Sequence, residues 1–580
     1  MVELQAASHK PQATSVRLGV EFRVLHPVRL LVQFRLPLAA CRLPLIIQGN
    51  KHLSDTLETP PRAPSILRSS ALVGGMTMVS RVLGLLRDVV FARFIGAEAG
   101  ADAFFVAFKV PNFLRRLFAE GAFAQAFVPV LSEYRHQGSM AAIRGFIDRI
   151  AGCLGVSVIL VCGAVVLAAP AFTAIFAMGF LVNSPEKFAL TTDLMRITFP
   201  YLAFISLAGF ASAILNSYDR FAIPALTPVL LNLVLIIAAV YVAPHLDVPV
   251  MALAWGVLVA GALQLGFQLP FLKRLGLLPH PKVDWVDPSV KKVLSLMAPA
   301  IFGVSVSQIN LMLDTILASF LPTGSVSWLY YSDRLTELPL GVFGVGIATV
   351  ILPTLSRQFA AAEGQHHQTL DWALRMVLLI GVPAALALVV LAEPILLTLF
   401  QYGKTSAVDM KMASYSLQAY ALGLTAFMLI KVLVTGYFSR QDTRTPVRIG
   451  IIAMLANMVM NLIFVLPFHF YWQIGHAGLA LATTCSAFLN AGLLLRGLRR
   501  QGAYKPQPGW LLFAIRLLVA SSAMALVAGF LYHSMPDFVP LEWWQRIIKV
   551  AMLCAAGILT YVALLFALGL RPRHLHPAVP

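Results

Sequence analysis

The stretch from Ser80 to Arg93, SRVLGLLRDVVFAR, sets Arg81, Arg87, Asp88 and Arg93 among leucines, valines and a phenylalanine. An arginine at a bilayer centre is unfavourable by roughly 2.5–3.5 kcal/mol on insertion scales, so charges in so apolar a segment face a partner or a watery cavity. A second segment repeats the pattern. At about 100° per residue, Asp102, Lys109, Arg116 and Glu120 fall in one stripe of a helix, with Arg115 beside it. A third, YYSDRLTELPLG, brings Asp333, Arg334 and Glu337 close as helical neighbours. Arg81, Arg87, Arg115 and Arg334 are the candidate binding residues, because they carry more positive charge than internal carboxylates cancel and so imply an anionic guest. The chemistry is recognition rather than bond-making: a guanidinium offers a planar fork of two charge-assisted hydrogen bonds that matches a phosphate and never deprotonates. Asp88 and Asp333 read as local counter-ions, and Arg93 and Arg135 as side chains reaching to the membrane interface.

For such residues to converge, the elements that carry them must be helices inside a membrane. Hydrophobic residues make up 59% of the 580-residue chain and charged residues 12%, with a mean hydropathy of +0.80, where a soluble domain has about 25% charged residues. The expected class is an all-α polytopic membrane protein. A net charge of +18 would suit nucleic acid, but most basic residues sit at helix ends, as the orientation rule for membrane proteins requires. Nucleic-acid binding is set aside on that ground. The cysteines, at 41, 153, 162, 485 and 554, show no metal-ligand spacing and read as small apolar residues. No Ser/His/Asp grouping, phosphate loop or histidine pair stands out, which argues against an enzyme and against a bound cofactor.

Residues 1–64 form a basic, proline-broken extension without a run of spanning length or a signal-peptide core, and are expected to be poorly ordered. From Ser65, apolar stretches recur about fourteen times, among them 66–94, 101–132, 291–320 and 325–356. Alternate connectors carry roughly eighteen basic residues in one set and about three (Lys187, Lys404 and Arg546) in the other, which places both termini in the cytoplasm. An echo at an offset of 224 residues, FVPVLSEYRHQG at 127–138 and ILPTLSRQFAAAEG at 351–364, supports a parallel repeat of six helices plus six. The resulting organisation is an N-lobe over 65–275, a C-lobe over 288–502 and two further helices over 508–571.

Four long motifs carry a family resemblance. GGMTMVSRVLGLLRDVVFARFIGAEAGADAFFVAFKVPNFLRRLFAEGAFAQAFVPVLSEY, ISLAGFASAILNSYDRFAIPAL, GVSVSQINLMLDTILASFLPTGSVSWLYYSDRLTELPLGVFGV and VLVTGYFSRQDTRTPV together closely resemble the MurJ (MviN) family of lipid II flippases, over about Ser65 to Leu570. The resemblance implies the fold of the multidrug/oligosaccharidyl-lipid/polysaccharide exporter superfamily: two six-helix lobes around a central cationic cavity, with two C-terminal helices forming a groove for the lipid tail. It implies movement of undecaprenyl-pyrophosphate disaccharide-pentapeptide from the cytoplasmic to the outer leaflet of the bacterial inner membrane, in concert with peptidoglycan-synthesis proteins. Matched motif by motif, the family's cavity arginines fall on Arg81, Arg87, Arg115 and Arg334, and Asp102 matches a further charged position.

A sodium site like that of some family members is implied at Asp314, Asn457, Asn461 and Thr483, with Asn461 standing where the family pattern has an acid. The same asparagines fit interhelical hydrogen bonds equally well. Two alternatives remain at the level of sequence: a relative that flips another polyprenyl-linked glycan, and a membrane-embedded transferase, which would need positioned carboxylates or a metal.

Overall fold

The computed structural model describes residues 20–21, 31–32, 66–116, 123–361 and 366–570. The chain divides into two units, Met1–Ser65 and Ile66–Pro580. In the first, β1 (Val20–Glu21) and β2 (Leu31–Val32) pair antiparallel; the remainder of the 1–64 extension lies outside the described residues.

In the second unit every described element is helical, as a bilayer demands of a backbone that has no water to bond. The helices are α1 (Ile66–Phe94), α2 (Ala99–Leu114), α3 (Phe123–Gln137), α4 (Met140–Leu167), α5 (Ala169–Phe176), α6 (Met178–Asn183), α7 (Pro185–Thr198), α8 (Tyr201–Ser217), α9 (Ala222–Ile237) and α10 (Val250–Arg274). They continue with α11 (Pro288–Ser319), α12 (Ser325–Pro339), α13 (Val345–Ala360), α14 (His366–Val390), α15 (Ala392–Phe400), α16 (Ala407–Phe438), α17 (Arg444–Trp472), α18 (Gly475–Arg500), α19 (Trp510–Ser534) and α20 (Trp543–Ala567). Among the described residues, 11 helical stretches are long and apolar enough to cross a membrane. The expected spans 66–94, 101–132 and 291–320 are not among them; they fall on α1, on α2 with α3, and on α11.

Two expected spans are interrupted. The 101–132 stretch opens into a wide π turn at 115–116, after Pro111, and resumes as α3. The 325–356 stretch opens into a π segment at Leu340–Gly344, directly after Pro339. A proline removes one backbone donor and crowds the preceding turn, which is how such breaks arise. The halves beyond the breaks, α3 and α13, carry the repeated P-x-L-S echo at Pro129 and Pro353. The repeat thus coincides with a broken helix at matching places.

The apolar packing explains where a cavity forms. Next to the connectors poor in basic residues, one continuous core joins helices from both halves, including Phe91, Phe104, Trp328, Tyr331, Phe400 and Leu417. Toward the basic connectors it divides. One core, around Phe127, Phe146 and Phe210, belongs to α3, α4, α8, the end of α10 and the start of α11, and another, around Leu355, Leu374, Tyr437 and Leu498, belongs to α13, α14, α16 and α18. Two bodies fused at one end and separately cored at the other leave a space between them.

The linker before α11 is strapped to α4. Asp148 accepts from the His280 N–H at 2.8 Å, and Arg149 Nε lies 2.9 Å from Asp287, which caps α11 by accepting from the Ser289 N–H at 2.8 Å. At the C-terminal hairpin, buried Asp371 on α14 accepts from Tyr504, Trp510 and the Gln507 N–H, docking α19. Arg546 on α20, read from sequence as an outward-facing charge, is buried and donates to the Leu397 and Gln401 carbonyls at the end of α15.

Candidate functional site

Between the divided cores lies a cavity of about 820 Å³ lined by α1, α9, α12, α16 and the two helix breaks, reaching Asn216 and Phe221 beside the basic connector at Arg220. Arg81, Arg87, Arg115 and Arg334, the four arginines singled out from sequence, all line it. With Arg116 and Lys431 they make, among the described lining residues, six cations against two carboxylates, Asp88 and Glu337. That imbalance is the chemical signature of the site.

Arg87 is the most tightly held. Its Nε and Nη2 donate to Asp88 Oδ1 at 3.0 and 2.7 Å, Nη2 donates to the Tyr330 hydroxyl at 2.9 Å, and Nη1 donates to Asn232 Oδ1 at 3.0 Å. Tyr330 donates in turn to Asp88 at 2.8 Å and stacks on Phe105 with ring centroids 4.0 Å apart. Arg334 lies over the other side of this group, 3.4 Å from Asp88 Oδ2, 2.9 Å from Glu337 and with its guanidinium over the Tyr330 ring. The network therefore ties α1 and α9 to α12. Arg81 makes no hydrogen bond or ion pair among the described residues; its guanidinium packs against Gly341 in the π segment, where any side chain would collide with it. Arg115 bonds Asn112 at 3.2 Å and has a further partner. Glu120 lies outside the described residues.

Asp102 is set apart from the cavity. It is 1% exposed and sits at the end where the core is continuous, with Lys187 Nζ 2.7 Å away. It also accepts from the Gly324 N–H at 2.8 Å, the Ser327 N–H at 2.9 Å and the Ser327 hydroxyl at 2.6 Å. A carboxylate at the start of α12 meets unpaired N–H groups and the positive end of the helix. Gly324 permits this approach: its φ is +97°, and a side chain there would run into the Trp328 ring. The expectation of Asp102 as a substrate ligand gives way, in this structure, to a closed latch between α2, α7 and α12. Lys187, one of the few basic residues on that side, is half of that latch rather than an orientation signal.

The four residues of the expected sodium site converge between α11, α17 and α18. Asn461 Nδ2 donates to Asp314 Oδ1 at 2.9 Å and to Asn457 Oδ1 at 3.1 Å, and the Thr483 hydroxyl lies 3.3 Å from Asp314 Oδ2. The arrangement satisfies much of itself, as interhelical hydrogen bonds would. One atom is left over: Asn461 Oδ1 is buried without a partner. Buried unpaired oxygens are uncommon and call for a donor or an ion, and a carboxylate, two carboxamides and a hydroxyl are the hard oxygen set that a small monovalent cation takes. The residues present fit the ion.

Sequence reading missed Asn232, Tyr330, Lys431 and Lys187. Asn232 had a signal, being the one polar side chain in the apolar run VLLNLVLII of α9, and polar groups within spans are functional candidates by default.

Residues 91–548 match the family model described as lipid II flippase MurJ. A Vibrio cholerae protein described as probable lipid II flippase MurJ is 50% identical over 521 residues, covering 88% of this chain and 98% of its own. The lipid II flippase MurJ of Burkholderia cenocepacia is 41% identical over 520 residues, covering 87% and 98%. Among solved structures, a lipid II flippase MurJ in an inward closed conformation superposes with a TM-score of 0.68 at 26% identity, over 85% of this chain and 98% of that one. An inward-facing multidrug resistance MATE family transporter gives 0.58 at 14% identity over 75% and 98%, a likeness of fold.

Proposed function

Because this chain belongs to the MurJ family of lipid II flippases, we propose that Arg81, Arg87, Arg115 and Arg334 hold the pyrophosphate of lipid II while its headgroup crosses the membrane. The observation that carries this reading is that the described lining residues of the cavity hold six cations and two carboxylates. A net excess of cations inside a membrane protein is stabilised by an anion, and a guanidinium matches phosphate oxygens by charge-assisted hydrogen bonds. Transport needs no covalent step, and the protein is a transporter rather than an enzyme.

The basic connectors set the orientation: the cavity opens toward the cytoplasm, both termini lie there, and the membrane is the bacterial inner membrane. The headgroup enters from the cytoplasmic leaflet, and the apolar polyprenyl chain stays in lipid along α19 and α20. Phosphate binding competes with Asp88 and Glu337 for the arginines and loosens the ties between α1 and α12. Opening on the far side requires the Asp102 latch to part, so the lobes rock about a bound headgroup in alternating access. The headgroup is then released to peptidoglycan-synthesis proteins outside. Asp314, Asn457, Asn461 and Thr483 hold Na⁺, which supplies positive charge to the buried Asp314 and lends a driving gradient.

Reconstitution in vesicles tests the reading. Purified protein should move lipid II to the opposite leaflet and leave a polyprenyl-linked O-antigen unit in place. Equal movement of both, or of the O-antigen unit alone, would overturn the substrate assignment.

A further inference from the structure

Arg87 has five N–H donors. Nε–H and the two Nη2 hydrogens are taken up by Asp88 and Tyr330, and Asn232 takes one Nη1 hydrogen. Among the described residues one Nη1–H keeps no partner, and Arg87 and Asn232 both line the cavity. The three partners differ in kind. Asp88 is a charge on the same helix, and Tyr330 belongs to α12, across the space between the lobes. Asn232 is neutral and stands on α9, which packs along α1. Its orientation is fixed from behind, since Nδ2 donates to the Ser80 carbonyl at 3.1 Å and the side chain is buried. The carboxamide therefore spans two turns of α1, with its donor on Ser80 and its acceptor on Arg87.

We propose that Asn232 is a positioning residue for Arg87, holding the guanidinium so that its remaining Nη1–H meets the headgroup phosphate, an inference that rests on the reading of the arginines as phosphate ligands. A neutral acceptor suits this role where a carboxylate would not. It orients the guanidinium without offsetting its charge beyond what Asp88 already does, and a donor locked before the ligand arrives loses less freedom on binding. Of the partners the structure gives Arg87, Tyr330 is lost when α12 moves away from α1, whereas Asn232 travels with α1 and keeps the fork aimed through the cycle.

A double-mutant cycle on lipid II binding to the full chain in nanodiscs tests this. Asn232→Leu removes the acceptor at similar volume and should weaken binding about tenfold, the scale of a hydrogen bond to a charged group. In an Arg87→Ala background the same change should have almost no effect, because the group it positions is gone. Asn232→Ala should show the same coupling, which separates lost aim from a packing fault specific to leucine. If Arg87→Ala itself binds like the parent chain, the arginine reading falls and this inference falls with it. If Arg87→Ala binds weakly while Asn232→Leu binds like the parent, or the two losses simply multiply, the arginine reading stands and the role of Asn232 is overturned.

Discussion

The Asp102 latch and the arginine cavity are both built from charged side chains on membrane helices, and they resolve their charge in opposite ways. Asp102 meets one ammonium, two backbone N–H groups and a hydroxyl, so the latch is balanced. The described lining of the cavity gathers six cations around two carboxylates and is unbalanced. Balance marks a group that holds the structure in one state, and imbalance marks a group that waits for a ligand. Depth and residue type alone would not have told the two apart.

The sharpest way to break that comparison is to delete the unbalanced charges. Arg81→Ala, Arg115→Ala and Arg334→Ala should each abolish or strongly reduce lipid II translocation while membrane levels and unfolding temperature stay near those of the parent, and lysine should rescue only in part because it loses the fork. Arg93→Ala, outside the cavity lining, should transport normally. Assays at matched protein amounts decide it.

The balanced cluster should fail differently. Asp102→Ala leaves Lys187 buried and unpaired, a change that commonly destabilises by about 3–5 kcal/mol, so unfolding temperature and accumulation should fall. Replacing Lys187 by methionine in the same chain should recover part of the loss. If Asp102→Ala left stability intact and lowered only headgroup affinity, Asp102 would belong with the cavity after all.

A smaller effect is expected at the oxygen cluster. Sodium, but not potassium, should raise the unfolding temperature of the parent chain, and Asp314→Asn should remove that shift by taking away the one carboxylate there. A sodium response that survives Asp314→Asn would move the ion elsewhere.

The smallest effect concerns the strap at α11. Burial raises the Asp287 carboxyl, but the Ser289 hydroxyl and N–H and the nearby Arg149 outweigh it, leaving the group below its ordinary value. Its contribution is present above the unfolded carboxylate value of about 3.9 and is lost as pH falls through the lower folded value. Acid unfolding of the parent should thus steepen below about pH 4 relative to Asp287→Asn; parallel curves would show that the strap adds nothing.

What was legible in the sequence follows the size of the physical penalty. Arginines in apolar runs are so unfavourable that Arg81, Arg87, Arg115 and Arg334 announced themselves, and all four line the cavity. The role of Asp102 was hidden because its partners Gly324 and Ser327 lie 222 and 225 residues away and contribute backbone N–H groups, which no residue type advertises. Asn232 and Tyr330 were overlooked because neutral side chains fit an apolar helix without complaint. A hydropathy count passes over the breaks at 115–116 and 340–344, but Pro111 marks the first in the sequence and Pro339 directly precedes the second.

The most direct measurement is lipid II translocation by Arg87→Ala in sealed vesicles, at matched amount and confirmed fold. Loss of charge-assisted phosphate bonds should cut the rate to about a tenth of the parent or less. A rate close to that of the parent would contradict the assignment of the cavity arginines to the headgroup.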